Sequence, residues 1–296
     1  MMRHPLSKVV QVRLGVSAVV LAIAAACLMP STAKSEAAAQ DRVLSLGGSV
    51  TEIVYALGQG HRLVARDTTS SFPEAANALP DVGYVRALSA EGVLSVAPEL
   101  IISEEGAGPV ETIEALESAS IPFITVPDGY TADAVTAKVR AVGAALNVPE
   151  AATALVDEIE AGFAQAQLKL GTTDTPQKVL FILSTQGGRI LASGTGTAAN
   201  GIIEMAGGVN AVTAFEGYKP LTDEAIAVAA PDVILMMDRS GDHSIEDDAL
   251  FTMPALIPTP AAQNRKIVRM NGLYLLGFGP RTAQAALDLN AALYGG

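Results

Sequence analysis

The segment Asp81-Val82-Gly83-Tyr84-Val85-Arg86-Ala87-Leu88-Ser89 places a tyrosine and an arginine two positions apart. In an extended loop that spacing sends both side chains to one side. A phenolate is a hard anionic oxygen donor suited to ferric iron, and tyrosine is one of the recognised axial ligands of haem. An unperturbed phenol has a pKa of about 10, so ligation at neutral pH draws on the metal's charge and on a nearby cation such as Arg86. On the residues alone, a loop tyrosine packed on the core beside a solvated arginine is the plainer reading.

Other chemistries find less support. Gly47-Gly48-Ser49-Val50-Thr51 begins like the nucleophile elbow of an α/β hydrolase but lacks the closing glycine. Ser49 also opens a Ser-x-x-Glu capping box with Glu52, which gives its hydroxyl a structural role. An exported hydrolase using Ser49 would need His61 or His243 as its base, and both stand in polar, loop-like contexts. Gly194-Thr195-Gly196-Thr197 resembles a phosphate cradle without the P-loop lysine, and reads as a turn before a helix over Ala198 to Met205. The only cysteine of the chain, Cys27, rules out a disulfide framework and a thiolate metal cage. With 31 acidic against 19 basic residues and no basic cluster, a nucleic-acid coat is excluded.

The elements that must position such residues form an α/β series, preceded by a segment outside the fold. Arg3, Lys8 and Arg13 flank an apolar run from Leu14 to Met29, and small residues follow up to Ala39, the layout of a secretory signal peptide. A signal segment is therefore expected within residues 1–39, cleaved after Ala33 or Ala39. The alternatives are a lipid anchor at Cys27 and a permanent membrane helix, for which the run is short. Cleavage after Ala39 takes four basic residues and one acid with it, leaving a more acidic, cysteine-free chain.

Beyond Asp41, short apolar runs alternate with helical periods, the signature of parallel sheets crossed by helices. Strands are predicted at Val43 to Leu46, Leu100 to Ser103, Phe123 to Val126, Lys178 to Leu183, Asp232 to Met236 and Lys266 to Arg269. One long helical stretch, Pro149 to Leu170, carries apolar residues at spacings of three and four and breaks the rhythm. The expected fold is α/β, with two Rossmann-like lobes joined by a single long helix and a ligand cleft between them. An N-terminal lobe spans 40–148, a linking helix 149–171 and a C-terminal lobe 172–296.

An internal repeat agrees with this division. Leu88-Ser89-Ala90-Glu91 leads to Ala97-Pro98-Glu99-Leu100, and Leu221-Thr222-Asp223-Glu224 leads to Ala230-Pro231-Asp232-Val233, at a constant offset of 133 residues. Gly83-Tyr84 and Gly217-Tyr218 precede the two copies with one residue of slip.

Taken together, Leu46 to Ile53, the Gly83-Tyr84-x-Arg86-x-Leu88-Ser89-x-Glu91 segment, Gly217-Tyr218-Lys219-Pro220-Leu221-Thr222-x-Glu224 and Gly277-Phe278-Gly279-Pro280-Arg281 resemble the periplasmic haemin-binding proteins of bacterial haem ABC importers. The resemblance implies a periplasmic, non-enzymatic, monomeric carrier that hands ferric haem to an inner-membrane permease. It implies Tyr84 as the axial iron ligand and Arg86 as its support. Tyr218 and Lys219 would face the cleft from the second lobe, and Arg281 would pair with a propionate. Glu91 and Glu224 would dock the two lobes on the permease. Carriers of ferric siderophores and of cobalamin share the more generic parts of these motifs and form the alternative.

Overall fold

The computed structural model describes residues 41–170, 175–238 and 245–295. The signal segment with Cys27, residues 171–174 and His243 lie outside the described residues.

The first lobe runs β1 (Val43–Leu46), α1 (Gly48–Ala56), β2 (Leu63–Arg66), α2 (Ala90–Ser95), β3 (Leu100–Glu104), α3 (Val110–Ser118), β4 (Phe123–Val126) and α4 (Ala132–Ala145). Helix α5 (Pro149–Leu170) leads to the second lobe. There follow β5 (Lys178–Ser184), β6 (Leu191–Ser193), α6 (Ala198–Met205), β7 (Val209–Asn210), β8 (Tyr218–Pro220), α7 (Asp223–Ala229) and β9 (Val233–Asp238). The chain closes with α8 (Asp247–Phe251), α9 (Pro260–Gln263), β10 (Ile267–Asn271), α10 (Gly272–Leu276) and α11 (Thr282–Tyr294).

The first sheet is four-stranded and parallel in the order β2-β1-β3-β4, with Val43 opposite Leu100 and Ile101 opposite Phe123. The second is six-stranded, β10-β9-β5-β6-β8, with β7 on the start of β5. Its β10, β9 and β5 are parallel, whereas β6 and β8 pair antiparallel. The sequence reading did not anticipate this β6–β8 ribbon. Its strands span three residues each, too short for an alternating pattern to declare itself.

The continuous apolar runs of the strands follow from helices covering both faces. Alternate side chains sort accordingly. Val43, Leu100 and Ile102 join Val179, Phe181, Val233 and Leu235 in one buried cluster that runs through both lobes, together with residues of α4, α5, α6 and α11. The intervening Leu44, Leu46 and Ile101 pack under α2 and α3, and Leu180, Ile182, Ile234 and Met236 pack under α7, α8 and α9. Helix α5 lies against α4 on one side and α11 on the other. The two lobes thus share an interior.

The 133-residue repeat is a structural repeat. Ser89 caps α2 by accepting the Gly92 N–H at 3.0 Å, and Thr222 caps α7 by accepting that of Ala225 at 3.2 Å. Val93 and Ile226, at equivalent positions, are buried. Each copy turns out of its helix through a left-handed alanine, Ala97 at φ 45° and Ala230 at φ 44°, before the proline that leads into β3 or β9.

One cap was predicted wrongly. Helix α1 begins at Gly48 with Gly47 as its cap residue, and no side chain caps it, so Ser49 lies one position inside the helix. Gly47 has φ 109°, and a Cβ there would overlap the Glu104 carboxylate. The backbone conformation favours glycine, and a side chain there would also have to displace the Glu104 carboxylate. Its N–H instead donates to Asp67 Oδ1 at 3.0 Å. Glu52, freed from any capping box, makes an ion pair with Arg281.

Candidate functional site

In open α/β sheets, ligands bind beyond the carboxyl ends of the strands, where the strand order reverses. In the first sheet the reversal falls between β1 and β3. Gly48 and Ser49 follow β1, Thr68 and Thr69 follow β2, Glu104 ends β3 and Asp128 follows β4. All six line a cavity of about 470 Å³. The second lobe closes it from the opposite side with Met237 near the end of β9, Asn271 at the end of β10, and Leu273 and Leu276 of α10. One wall is therefore rich in hydroxyls and carboxylates and the other is largely apolar, and the volume lies in the range of small-molecule sites.

Tyr84 and Arg86 stand on this cavity. The loop that carries them is a turn rather than extended backbone, since the Ala87 N–H donates to the Tyr84 carbonyl at 2.8 Å. Val85, between them, is buried at 2% exposure and anchors the turn. Asp81 fixes the start of the loop. Its carboxylate accepts from Arg66 at 3.2 Å, from the Thr68 hydroxyl at 3.1 Å and from the Gly83 N–H at 2.8 Å. Gly83 takes φ 102°, a conformation that a side chain would strain. Tyr84 itself remains 47% exposed, its ring presented rather than packed. Arg86 is exposed and makes no hydrogen bond or ion pair among the described residues.

The cavity floor is acidic. Asp67, fully buried, is held by donors from Gly47, Thr69 and Ser70. Lys138 of α4, 1% exposed, pairs with Asp128 at 3.0 Å and donates to Ser49 Oγ at 3.2 Å. Burial pushes the Glu104 carboxyl up to about 7, opposed by Lys138 and reinforced by Asp67 and Asp128. Ser49 is buried at 1% exposure and is engaged by a lysine that is itself ion-paired. His61 is exposed and does not line the cavity.

Two more tyrosines complete the walls. Tyr218, on β8, faces the cavity and stands edge-on to Phe181 at 6.3 Å between ring centroids. Tyr130, just before α4, packs edge-on against Phe278 at 5.3 Å. Burial raises the pKa of both phenols, and for Tyr130 the Asp128 charge adds to it.

Two expected contacts lie elsewhere. Lys219 points away from the cavity lining, its Nζ 5.3 Å above the Phe215 ring, because neighbours on a strand face opposite sides. Arg281 is likewise absent from the lining and is bound to Glu52 at 2.9 Å through both its Nε and its Nη2. Glu91 and Glu224 are exposed in the first turns of α2 and α7, one on each lobe. Glu104, Asp128, Tyr130 and Asn271 were not singled out from the sequence. Their positions at or just after predicted strand ends were the available signal.

Comparison with known proteins places this architecture. The sequence profile of the family described as periplasmic binding protein matches residues 43–272. The chain belongs to that family. Its members bind and carry substrates rather than transform them. The structure resembles RhuT, a periplasmic haem-binding protein from Roseiflexus sp. RS-1 in apo form, with TM-score 0.82 and 38% identity over 86% of this chain and 98% of that one. It also resembles the periplasmic haem-binding protein BhuT in complex with two haems, with TM-score 0.81 and 38% identity over 85% and 97% of the two chains. Among curated proteins it is 26% identical to the vitamin B12-binding protein of Yersinia pestis (strain Pestoides F), over 81% of this chain and 84% of that protein. It is 25% identical to YvrC, an uncharacterized ABC transporter substrate-binding lipoprotein of Bacillus subtilis (strain 168), over 86% and 80%.

Proposed function

We propose that this protein captures ferric haem in the interlobe cavity and delivers it to an ABC permease. The observation that carries the reading is Tyr84, half-exposed on a firmly anchored turn with Arg86 beside it on the cavity wall. Ferric iron takes a hard anionic oxygen, and the Arg86 guanidinium puts a positive charge on the same wall. Desolvation raises the pKa of the Tyr130 and Tyr218 phenols, which suits them to the walls rather than to the iron. The apolar face of Met237, Leu273 and Leu276 suits a porphyrin plane. Tyr84 is therefore the iron ligand, Arg86 its electrostatic support and Tyr218 a wall contact, while Lys219 and Arg281 stand outside the lining.

Export proceeds through a cleaved signal at residues 1–39, leaving a soluble periplasmic monomer. The intact mass of periplasmic material tests this, since a lipid-modified mass retaining Cys27 identifies an anchored protein instead.

The function itself is tested by titrating the purified protein with haemin, cyanocobalamin and a ferric siderophore. Haemin should bind with one sharp endpoint and a high-spin, phenolate-type visible spectrum. The vitamin B12-binding relatives give the alternative its footing. Saturable binding of cyanocobalamin with no response to haemin would replace the haem reading.

A further inference from the structure

Behind the cavity, the loop Gly277-Phe278-Gly279-Pro280-Arg281 between α10 and α11 meets the first lobe. Phe278, 2% exposed at φ 48°, stands against Tyr130. The Gly279 backbone runs so close to α1 that a Cβ there would touch both Ser49 and Glu52 at 3.6 Å. Arg281 then reaches across to Glu52, Nε to Oε1 and Nη2 to Oε2, both at 2.9 Å. The Glu52 side chain is 6% exposed. The guanidinium lies 3.5 Å from the centre of the Phe72 ring of the first lobe and 5.0 Å from that of Tyr274 on α10. A two-pronged, aromatic-stacked ion pair is a fixed geometry that a flexible lysine would not reproduce.

This junction adjoins the cargo site. Ser71 and Asn271 line both the cavity and the groove around Phe72, Tyr274 and Arg281. Glu52 belongs to α1, whose first turn lines the cavity, and Tyr274 to α10, which forms its apolar wall. We infer that Arg281 is a positioning residue: with Glu52 and Phe72 it forms an interlobe latch that holds α1 and α10 at a fixed separation and so retains the cargo without touching it. The cargo arm of this inference rests on the haem reading, whereas the latch stands on the apoprotein.

The test uses the full exported protein and the variants Arg281→Gln, Arg281→Lys, Glu52→Gln, the double Arg281→Gln/Glu52→Gln, and Phe72→Leu. The last leaves the ion pair in place and removes only the stack. Release of haemin and of haemin dimethyl ester, which has no free propionate, is timed by transfer to an excess of apomyoglobin. Hydrogen exchange of α1 and α10 is followed in the apoprotein. The latch predicts that Arg281→Gln and Glu52→Gln each speed release of both ligands by about tenfold, within the 5–150-fold common for coupled sites. The double variant should be no faster than either single one, Arg281→Lys and Phe72→Leu should fall between, and exchange in α1 and α10 should rise in step. Faster release of haemin alone, with the ester and the Glu52→Gln variant unchanged, would show Arg281 pairing with a propionate and overturn the latch. Unchanged exchange across the series would overturn it equally. If the wild type binds neither ligand, the haem reading falls and the exchange measurement decides the latch by itself.

Discussion

At the scale of single residues, the site separates three tyrosines by environment. Desolvation raises the pKa of the Tyr130 and Tyr218 phenols, although the Tyr218 ring is still 37% exposed, whereas Tyr84 is presented on a turn at 47% exposure. Tyr84→Phe removes only the oxygen from a ring that fills no core. Binding should weaken and the phenolate-type spectrum disappear, while the apoprotein's melting temperature stays within about 1 °C, as for other surface substitutions. Tyr218→Phe should keep the spectrum. Glu104 gives a second, independent prediction. Its carboxyl is raised to about 7 in the folded protein, so between the ordinary carboxylate range and pH 7 the folded state holds a proton that the unfolded state has lost. Stability contributed by this group is present below pH 4 and is lost as pH rises through 7. Glu104→Gln should therefore stabilise the apoprotein at pH 8 relative to wild type, by on the order of 2 kcal/mol after allowing for partial exposure, and the gain should vanish near pH 4. Urea melts at both pH values measure it.

At the scale of elements, the parts with long-range periodicity were legible in the sequence. Strand Val43–Leu46, helix Ala198–Met205 and the linking helix Pro149–Leu170 fall where apolar spacing and caps put them. The repeat was readable because its Ser or Thr cap and its Ala-Pro-acid strand entry leave residue signatures, whereas its left-handed exits fall on alanines and leave none. The Ser49 cap was misread because Gly47 takes the cap position at φ 109° with no side-chain cap, a backbone conformation that the Ser-x-x-Glu spacing does not reveal. The fate of Arg281 was hidden by distance, since a charged residue in a motif does not reveal which far-off acid it meets, here Glu52. Lys219 meets Phe215 only four residues away, and its turn from the cavity was missed because the three-residue strand β8 was not recognised. The cap of α6 offers an element-level prediction. Thr197 accepts the Asn200 N–H at 3.0 Å and donates to the Gly194 carbonyl at 3.2 Å. Thr197→Ala should cost about 1 kcal/mol, a fall of roughly 2–4 °C in melting temperature, measured on the apoprotein. A buried charge anchors the opposite wall. Lys138→Met keeps the stem's volume but strands Asp128, and should destabilise by about 2 kcal/mol in chemical denaturation.

At the scale of the whole molecule, the shared interior and the long helix favour small hinge motions over wide lobe closure, so a delivery partner has to engage lobes of nearly fixed separation. Glu91 and Glu224 are suited to that task. Each occupies the first turn of an equivalent helix, each is exposed, and the repeat places one on each lobe. A partner presenting arginines to both would grip the lobes separately, with charge steering the encounter. Reversal to lysine opposes the helix dipole by about 0.3–1 kcal/mol per site, so melting temperature is measured alongside, and Glu→Gln versions serve as the milder control. In proteoliposomes carrying the cognate haem permease, the double reversal should abolish uptake while haemin affinity stays within about twofold of wild type, since neither residue lines the cavity. Each single reversal should leave partial uptake, because one lobe remains gripped. Uptake at the wild-type rate by the double variant would remove the docking role from both glutamates and require a different surface for delivery.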